Sequence, residues 1–276
     1  MTFAGQTIWI TGASSGIGKA LALAFAAQGA RLVLSGRNEA ALGEVAAGCG
    51  ETLILPFETT DYNALPALAD QAWGWRGGVD CLVNNAGISQ RSLAVETAFA
   101  VYERIVAVDL LAPIALTQAL LPHMAARGSG RLAFVSSVAG KVGVPMRSGY
   151  CAAKFGLAGY ADSVRGETAH LGLNVHTIYP GSIRTDVSRN ALTADGSRRG
   201  ASDRVIDNGI DPAEAALQML AAMAAGTREI IIARGLETEL AEARRTPDAL
   251  FDQVAAMMAA GYAERLKAEA SGDATV

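Results

Sequence analysis

The sequence predicts a single α/β domain built on a doubly wound parallel sheet. Along most of the 276 residues, short apolar runs that suit strands alternate with longer runs that suit helices. The strand-like runs are apolar almost throughout rather than at every second residue, which is typical of parallel strands covered by helices on both faces. No internal repeat, low-complexity linker or abrupt change of charge divides the chain, so one domain is favoured over two.

The predicted strands and helices follow one another in order. The strands are expected at 7–11, 31–35, 52–56, 79–83, 131–136, 173–179 and 229–232. The helices between them are expected at 16–28, 39–48, 61–75, 98–127, 150–171 and 212–225. The short connections fit right-handed crossovers, so every strand is expected to run parallel to its neighbours.

Two segments fall outside this alternation. Residues 182–210 are rich in Ser, Arg, Asn and Asp and have little periodicity, which suits a mobile loop beside a site. From residue 236 onward, mixed charges surround Leu, Ala and Met at helical spacing, which predicts a helical extension packed on the sheet or on a partner. We therefore expect a main domain over 1–235 and an extension of the same domain over 236–276.

Composition excludes several classes of protein. Hydrophobic residues make up 51% of the chain and the mean hydropathy is +0.25, which excludes intrinsic disorder. The 23 basic and 27 acidic residues give a net charge of −4, so the basic excess expected of a nucleic-acid binder is missing. The three cysteines and three histidines have no metal-ligand spacing, so no metal site and no disulfide framework are expected.

The apolar content also raises the question of a membrane segment. Residues 110–126 carry no formal charge, but they contain two prolines, a glutamine and a histidine, which favours a buried helix over a spanning one. The first residues lead straight into a strand-like run and do not resemble a secretion signal. We therefore expect a cytoplasmic protein without an integral membrane segment.

A glycine-rich turn follows the first predicted strand and opens the first predicted helix. It reads Thr11-Gly12-Ala13-Ser14-Ser15-Gly16-Ile17-Gly18. Glycines at such a turn let a phosphate approach the backbone N–H groups, and the helix N-terminus adds partial positive charge. In this strand–turn–helix context the motif predicts a dinucleotide site.

The ends of the second and fourth strands indicate which dinucleotide binds and where. An NAD site generally has an acidic side chain after the second strand, but Gly36-Arg37 stands there, and a guanidinium suits a 2′-phosphate. We therefore predict NADP(H), with Ser14 and Ser15 as further donors. The fourth strand ends in Asn84-Asn85-Ala86-Gly87, whose amides and small residues predict a wall along the ribose.

Ser137, Tyr150 and Lys154 form the candidate reacting group. Tyr150 and Lys154 are four residues apart on a predicted helix and therefore share one face. A phenol is a poor acid or base at neutral pH, and a neighbouring ammonium favours its ionised form. Lys154 is thus expected to activate Tyr150 and to bind the nicotinamide ribose, while Ser137 positions the substrate oxygen.

Together these motifs resemble the short-chain dehydrogenase/reductase family over residues 5–232. The resemblance rests on 11–18, 84–87, Ser137, the Tyr150-Cys-Ala-Ala-Lys154 pentad and Tyr179-Pro180-Gly181 with Thr185. It implies a seven-stranded Rossmann sheet, hydride transfer to or from a nicotinamide, and Tyr150 as proton donor or acceptor. It also implies a homodimer or homotetramer formed through helices 98–127 and 150–171, and a carboxamide-binding segment that includes Pro180, Gly181, Ile183 and Thr185.

Two positions depart from the family pattern. Asp109 occupies a place where the family usually has an asparagine, whose backbone holds a relay water. A carboxylate there would raise the pKa of Lys154 and partly cancel the effect of the lysine on Tyr150. We therefore expect an activity optimum at higher pH than in an Asp109→Asn variant. Glu58 replaces the usual aspartate beside the adenine.

A finer resemblance points to the acyl/alkyl-dihydroxyacetone-phosphate reductase branch, which acts on lipid-like ketones. It rests on segments 85–92, 141–150 and 190–197, where Arg91 and Arg147 could bind an anionic head group or could serve as loop-surface or intersubunit charges. Three functions remain open: an NADP(H)-dependent carbonyl reductase of a hydrophobic small molecule, a steroid or hydroxy-lipid dehydrogenase, and a weakly catalytic NADP(H)-binding regulatory protein.

Overall fold

A computed structural model describes residues 3–262 and 264–265, and it contains a seven-stranded parallel sheet. The strands are β1 (Thr7–Thr11), β2 (Arg31–Ser35), β3 (Thr52–Ile54), β4 (Cys81–Asn84), β5 (Gly130–Val135), β6 (Leu173–Pro180) and β7 (Glu229–Ile232). Their order across the sheet is β3-β2-β1-β4-β5-β6-β7. The predicted doubly wound Rossmann sheet is confirmed. The strand order reverses between β1 and β4, which is where such sheets bind ligands.

Ten α-helices are described, and they cover both faces of the sheet. They are α1 (Gly16–Ala27), α2 (Glu39–Ala47), α3 (Leu65–Gly74), α4 (Phe99–Val106), α5 (Ala112–Arg127), α6 (Ser148–Thr168), α7 (Arg204–Asp207), α8 (Pro212–Ala224), α9 (Leu236–Glu242) and α10 (Asp248–Ala259). Ile8 and Ile10 of β1 pack into one apolar core, and Trp9 between them packs into the other. Because both faces of β1 are buried, its sequence shows no alternation of polar and apolar residues.

The long helix expected at 98–127 is interrupted by a π-helical turn, Ala107–Leu111, between α4 and α5. The turn carries Asp109 into the interior, where its side chain is fully buried. By length and composition alone, Phe99–Arg127 is apolar enough to cross a membrane. In the fold, however, Asp109 faces the interior and Thr117 of α5 accepts a hydrogen bond from Asn84 of β4, so this helix is tied to the sheet. The cytoplasmic location stays a prediction.

The C-terminal extension packs on its own domain. Phe251 of α10 lies under the guanidinium of Arg165 in α6, 4.2 Å from the ring centre. At α9, the Glu237 carboxylate accepts hydrogen bonds from the backbone N–H and the hydroxyl of Ser182, each 2.8 Å long. The extension thus reaches the segment that follows β6. Residue 263 and residues 266–276 of the predicted extension lie outside the described residues.

Candidate functional site

The glycine-rich turn stands at the carboxyl end of β1 and begins a cavity of about 650 Å³. Gly12 has a φ of +65°, a conformation that favours glycine. A Cβ on Gly12 would lie 2.9 Å from the Ala86 Cα, so the turn closely approaches the segment after β4. Ser14, Ser15, Gly16 and Ile17 line the cavity, at the N-terminus of α1 where backbone N–H groups lack intrahelical acceptors.

Gly18 brings α1 close to the glycine-rich turn. It is not among the described residues that line the cavity, and its contact with the cofactor stays a prediction. A Cβ on Gly18 would lie 2.5 Å from the Asn85 Nδ2 and would also collide with the carbonyl of Gly12. Gly18 therefore allows α1 to pack against the turn. The Asn85 amide donates to the Thr11 carbonyl at 2.9 Å and so connects β4 to β1.

Arg37 and Glu58 stand together at the end of the cavity that follows β2 and β3. The Arg37 Nη1 lies 3.5 Å from the Glu58 Oε2, and the two side chains are 68% and 45% exposed. Ser14 lies beside them, since a Cβ on Gly36 would be 3.5 Å from its hydroxyl oxygen. A hydroxyl and a guanidinium therefore face the space next to the glycine-rich turn, with one carboxylate partly neutralising the guanidinium.

Ser137, Tyr150 and Lys154 meet at the opposite end of the cavity, and all three contribute to its wall. Tyr150 and Lys154 share a face of α6, and the Lys154 Nζ lies 5.6 Å from the centre of the Tyr150 ring. The lysine is buried and donates to the carbonyl of Val135, the last residue of β5, at 3.0 Å. The Ser137 hydroxyl donates to the Pro180 carbonyl at 3.3 Å and accepts from the Ala139 N–H at 3.1 Å.

Asp109 forms a buried ion pair with Lys154. Its Oδ2 lies 3.2 Å from the Lys154 Nζ, and its Oδ1 accepts a hydrogen bond of 2.8 Å from the Ile88 N–H. The contact with Lys154 is one of charge, because within the described residues no donor makes a well-directed hydrogen bond to Oδ2. A Cβ on Gly87 would lie 3.1 Å from that same Oδ2, so the glycine leaves room for the pair.

For each member of this pair, burial and the partner's charge shift the pKa in opposite directions. Burial raises the pKa of Asp109 more than the neighbouring ammonium lowers it. Burial by itself would lower the pKa of Lys154, but the negative charge of Asp109, together with Tyr150, outweighs burial and raises it. Lys154 therefore keeps its proton at neutral pH, and the Asp109 carboxylate compensates part of its positive charge.

The segment after β6 closes the cavity wall. Pro180, Gly181, Ile183 and Thr185 all line the cavity, as do Asn85, Ala86 and Gly87 across from them. Glu237 holds this segment through Ser182. Sequence reasoning missed Glu237, because 55 residues separate it from Ser182 and nothing in its own helix marks it. The cavity combines a glycine-rich turn at a helix N-terminus with a guanidinium beside it, which are features that a nicotinamide dinucleotide site uses.

Arg91 and Arg147, the two predicted substrate contacts, pair with an acidic residue of segment 182–210. In the described part of the chain, neither is among the residues that line the cavity. Both guanidiniums instead approach the carboxylate of Asp203, Arg91 at 2.6 Å and Arg147 at 3.7 Å. Asp203, 112 residues from Arg91 in sequence, is thus the partner of both guanidiniums, and the contact with a substrate stays a prediction. Arg104 and Arg198, which sequence reasoning missed, do line the cavity.

Comparisons with known proteins agree with this geometry. The family model described as short chain dehydrogenase matches residues 6–196. Dehydrogenase/reductase SDR family member 7B of Danio rerio is 37% identical over 238 residues, covering 83% of this chain and 77% of that protein.

Two solved structures are also similar. A short-chain dehydrogenase from Streptomyces avermitilis has a TM-score of 0.77 at 26% identity and covers 94% of this chain and 99% of its own. A putative NAD(P)-dependent gluconate 5-dehydrogenase from Beutenbergia cavernae, with bound NADP, has a TM-score of 0.70 at 25% identity and covers 83% of this chain and 96% of its own. The chain belongs to the short-chain dehydrogenase/reductase family, whose members are nicotinamide-dependent oxidoreductases that act on the CH–OH groups of small molecules.

Proposed function

We propose that the protein is an NADP(H)-dependent carbonyl reductase of hydrophobic ketones. The observation that carries the proposal is the placement of Ser137, Tyr150 and Lys154 on one wall of a cavity whose other end holds Arg37. When bound, the nicotinamide supplies or accepts the hydride. The protein's part is to bind both reactants, to orient the carbonyl and to move one proton.

The proton is moved at the Tyr150 hydroxyl. A reduced carbonyl oxygen must gain a proton, and the phenol lies on the cavity wall where it can donate one. The Lys154 ammonium, buried beside the Tyr150 ring, stabilises the negative charge that develops on the phenol oxygen. The Ser137 hydroxyl, held by Pro180 and Ala139, positions the substrate oxygen. In the oxidative direction the same groups act in reverse.

NADP(H) is favoured over NAD(H) by the charge next to the glycine-rich turn. Arg37 and Ser14 line the cavity there, and a planar guanidinium matches a phosphate group. Glu58 lies against Arg37 and lowers the net positive charge, so the preference is expected to be moderate.

The substrate end favours an apolar molecule. Ile88, Val187, Leu192 and Ile206 line the cavity together with Tyr150. Hydrophobic pockets of this kind bind by removing apolar surface from water. A lipid-like ketone, as the finer sequence resemblance suggests, is therefore the substrate class that we propose.

The exposed side chain of Phe99 on α4, 75% accessible, supports the further proposal of a homodimer or homotetramer through this helix.

A second function is motivated by Asp109. Its carboxylate removes part of the positive charge that would activate Tyr150, so a weakly catalytic NADP(H)-binding protein is the competing proposal. NADPH oxidation measured over a panel of straight-chain, cyclic and aryl ketones separates the two. A reductase consumes NADPH with at least one ketone class and loses this activity in Tyr150→Phe, whereas a regulatory binder takes up NADPH and reduces none of them.

A further inference from the structure

We call segment 182–210 the substrate loop. Its residue Asp203, which does not line the cavity, has a carboxylate surrounded by three arginines. The Asp203 Oδ2 accepts from the Arg91 Nε at 2.7 Å and lies 2.6 Å from its Nη2. Arg199 bonds the other carboxylate oxygen, and the Arg147 Nη2 stands 3.7 Å from Oδ2. The Asp203 carboxylate therefore pairs with Arg91, Arg147 and Arg199.

The three arginines come from different parts of the fold. Arg91 follows β4, Arg147 immediately precedes α6 and stands three residues before Tyr150, and Arg199 belongs to the substrate loop itself. One carboxylate of the loop therefore connects it to two segments that each contribute residues to the cavity wall, Ser89 and Tyr150 among them. The loop is also joined to the first of them by two backbone hydrogen bonds of 2.8 Å: the Arg91 N–H donates to the Leu192 carbonyl, and the Leu192 N–H donates to the Ser89 carbonyl.

Burial makes the loss of one partner from this connection costly. The Arg91 side chain is only 8% exposed, and its remaining donors reach the Ser89 hydroxyl and the Gln90 carbonyl. Burial and the nearby charge of Arg147 lower the pKa of Arg91. Burial would raise the pKa of Asp203, but its contacts with Ser188, Arg199 and Arg91 hold it well below its usual range. Without the carboxylate, three cations would repel one another and one of them would be buried unpaired.

The front of the same loop faces the cavity. Val187, Asn190, Leu192, Arg198 and Ile206 line it, and they lie on both sides of the residues that carry the arginine contacts. The loop folds back on itself at Leu192, which pairs with Arg198 as well as with Gln90. The position of this part of the cavity wall therefore depends on the contacts that Asp203 makes on the other side of the loop.

We propose that Asp203 is the positioning residue that fastens the substrate loop to the catalytic walls of the cavity, through Arg91 and Arg147. It touches neither the reacting atoms nor the space in which they meet. The proposal rests on the proposed function only in taking this cavity as the cofactor and substrate site.

The test compares Asp203→Asn with a matched variant, Asp195→Asn, in the same loop. The Asp195 carboxylate bonds to Thr193 and Ser197, which are both loop residues. Limited trypsinolysis, mapped by mass spectrometry, reports cleavage after Arg198 and Arg199. We expect Asp203→Asn to raise the cleavage rate by about tenfold or more, because cleavage of a native loop follows the population of its open form. Asp195→Asn should stay within about twofold of the wild type.

Two further measurements separate positioning from general loss of structure. Asp203→Glu keeps the charge and should restore most of the resistance to cleavage, and NADPH should protect the wild-type loop at lower concentration than it protects Asp203→Asn. If Asp203→Asn does not fold, Arg199→Gln, which removes one cation and leaves Arg91 paired, should show an intermediate rate of cleavage after Arg198, the site that this variant keeps. Equal cleavage of the Asp203 and Asp195 variants would overturn the proposal. None of these measurements requires turnover, so a failure to reduce ketones would count against the proposed function alone.

Discussion

We expect the choice between NADP(H) and NAD(H) to depend on a single exposed cation, Arg37, and Arg37→Gln tests this expectation directly. In the structure the guanidinium stands at the cavity end near the glycine-rich turn, with Ser14 beside it and Glu58 at 3.5 Å. The substitution removes the positive charge and keeps a polar side chain of similar length. Because Glu58 is the one hydrogen-bond and ion-pair partner of the Arg37 side chain among the described residues, the fold should be unaffected.

The expected magnitude follows from exposure. A hydrogen-bonded charge pair contributes about 1.5–3 kcal/mol when well formed, whereas fully exposed pairs contribute up to about 1 kcal/mol. Arg37 is 68% exposed and already has a carboxylate next to it, so about 1–2 kcal/mol is appropriate. Since about 1.4 kcal/mol corresponds to tenfold in affinity, Arg37→Gln should weaken NADPH binding roughly 5- to 30-fold.

The assay is titration of NADPH and NADH, followed by the change in nicotinamide fluorescence. NADH has no 2′-phosphate, so its dissociation constant should change by less than about twofold in Arg37→Gln. Glu58→Gln is the matched variant of opposite sign: it frees the guanidinium and removes a repelling charge, and should strengthen NADPH binding by up to about fivefold. Equal losses for NADPH and NADH in Arg37→Gln, or no loss for either, would refute the assignment of Arg37 to the 2′-phosphate.

Two further predictions concern the reacting end. In Asp109→Asn the negative charge 3.2 Å from the Lys154 Nζ is lost. The ammonium then stabilises negative charge on the Tyr150 phenol more strongly. The optimum of kcat/KM should therefore move to lower pH than in the wild type. Coincident pH profiles would exclude this effect. Glu237→Gln weakens the hydrogen bonds to Ser182 and should raise the NADPH dissociation constant roughly three- to tenfold. Glu239 is exposed on the same helix, so Glu239→Gln should leave this constant unchanged. Equal constants for these two variants would refute the role of Glu237.

Sequence reasoning succeeded where chemistry depends on residues close together in the chain. The glycine-rich turn must join β1 to α1, and Tyr150 and Lys154 must share a face of one helix, so spacing alone predicted their arrangement. The edges of the helices and strands shifted by a few residues. The π-helical turn at Ala107–Leu111 could not be foreseen, because the residues before and after it are equally suited to an α-helix.

The contacts that the sequence did not predict join partners far apart in the chain. Arg91 and Arg147 have the right chemistry for an anionic ligand, and in the structure an acidic residue on a distant loop pairs with both. The hold of Glu237 on Ser182 was missed for the same reason. Periodicity shows that a helix forms, yet it does not show which loop that helix touches. Such contacts depend on the tertiary packing of segments whose own sequences are irregular.

The central claim is that Tyr150 protonates a ketone that receives a hydride from NADPH in this cavity. It is tested most directly by incubating the protein with NADPH that carries deuterium at the nicotinamide C4 and following deuterium at the carbinol carbon by mass spectrometry. We expect wild-type protein to give labelled alcohol from an apolar ketone, and Tyr150→Phe to bind NADPH equally well but to form the product about 10²- to 10⁴-fold more slowly, the range for loss of a general acid. Alcohol formed by Tyr150→Phe at the wild-type rate, or NADPH bound by the wild type with no label transferred to any ketone, would contradict it.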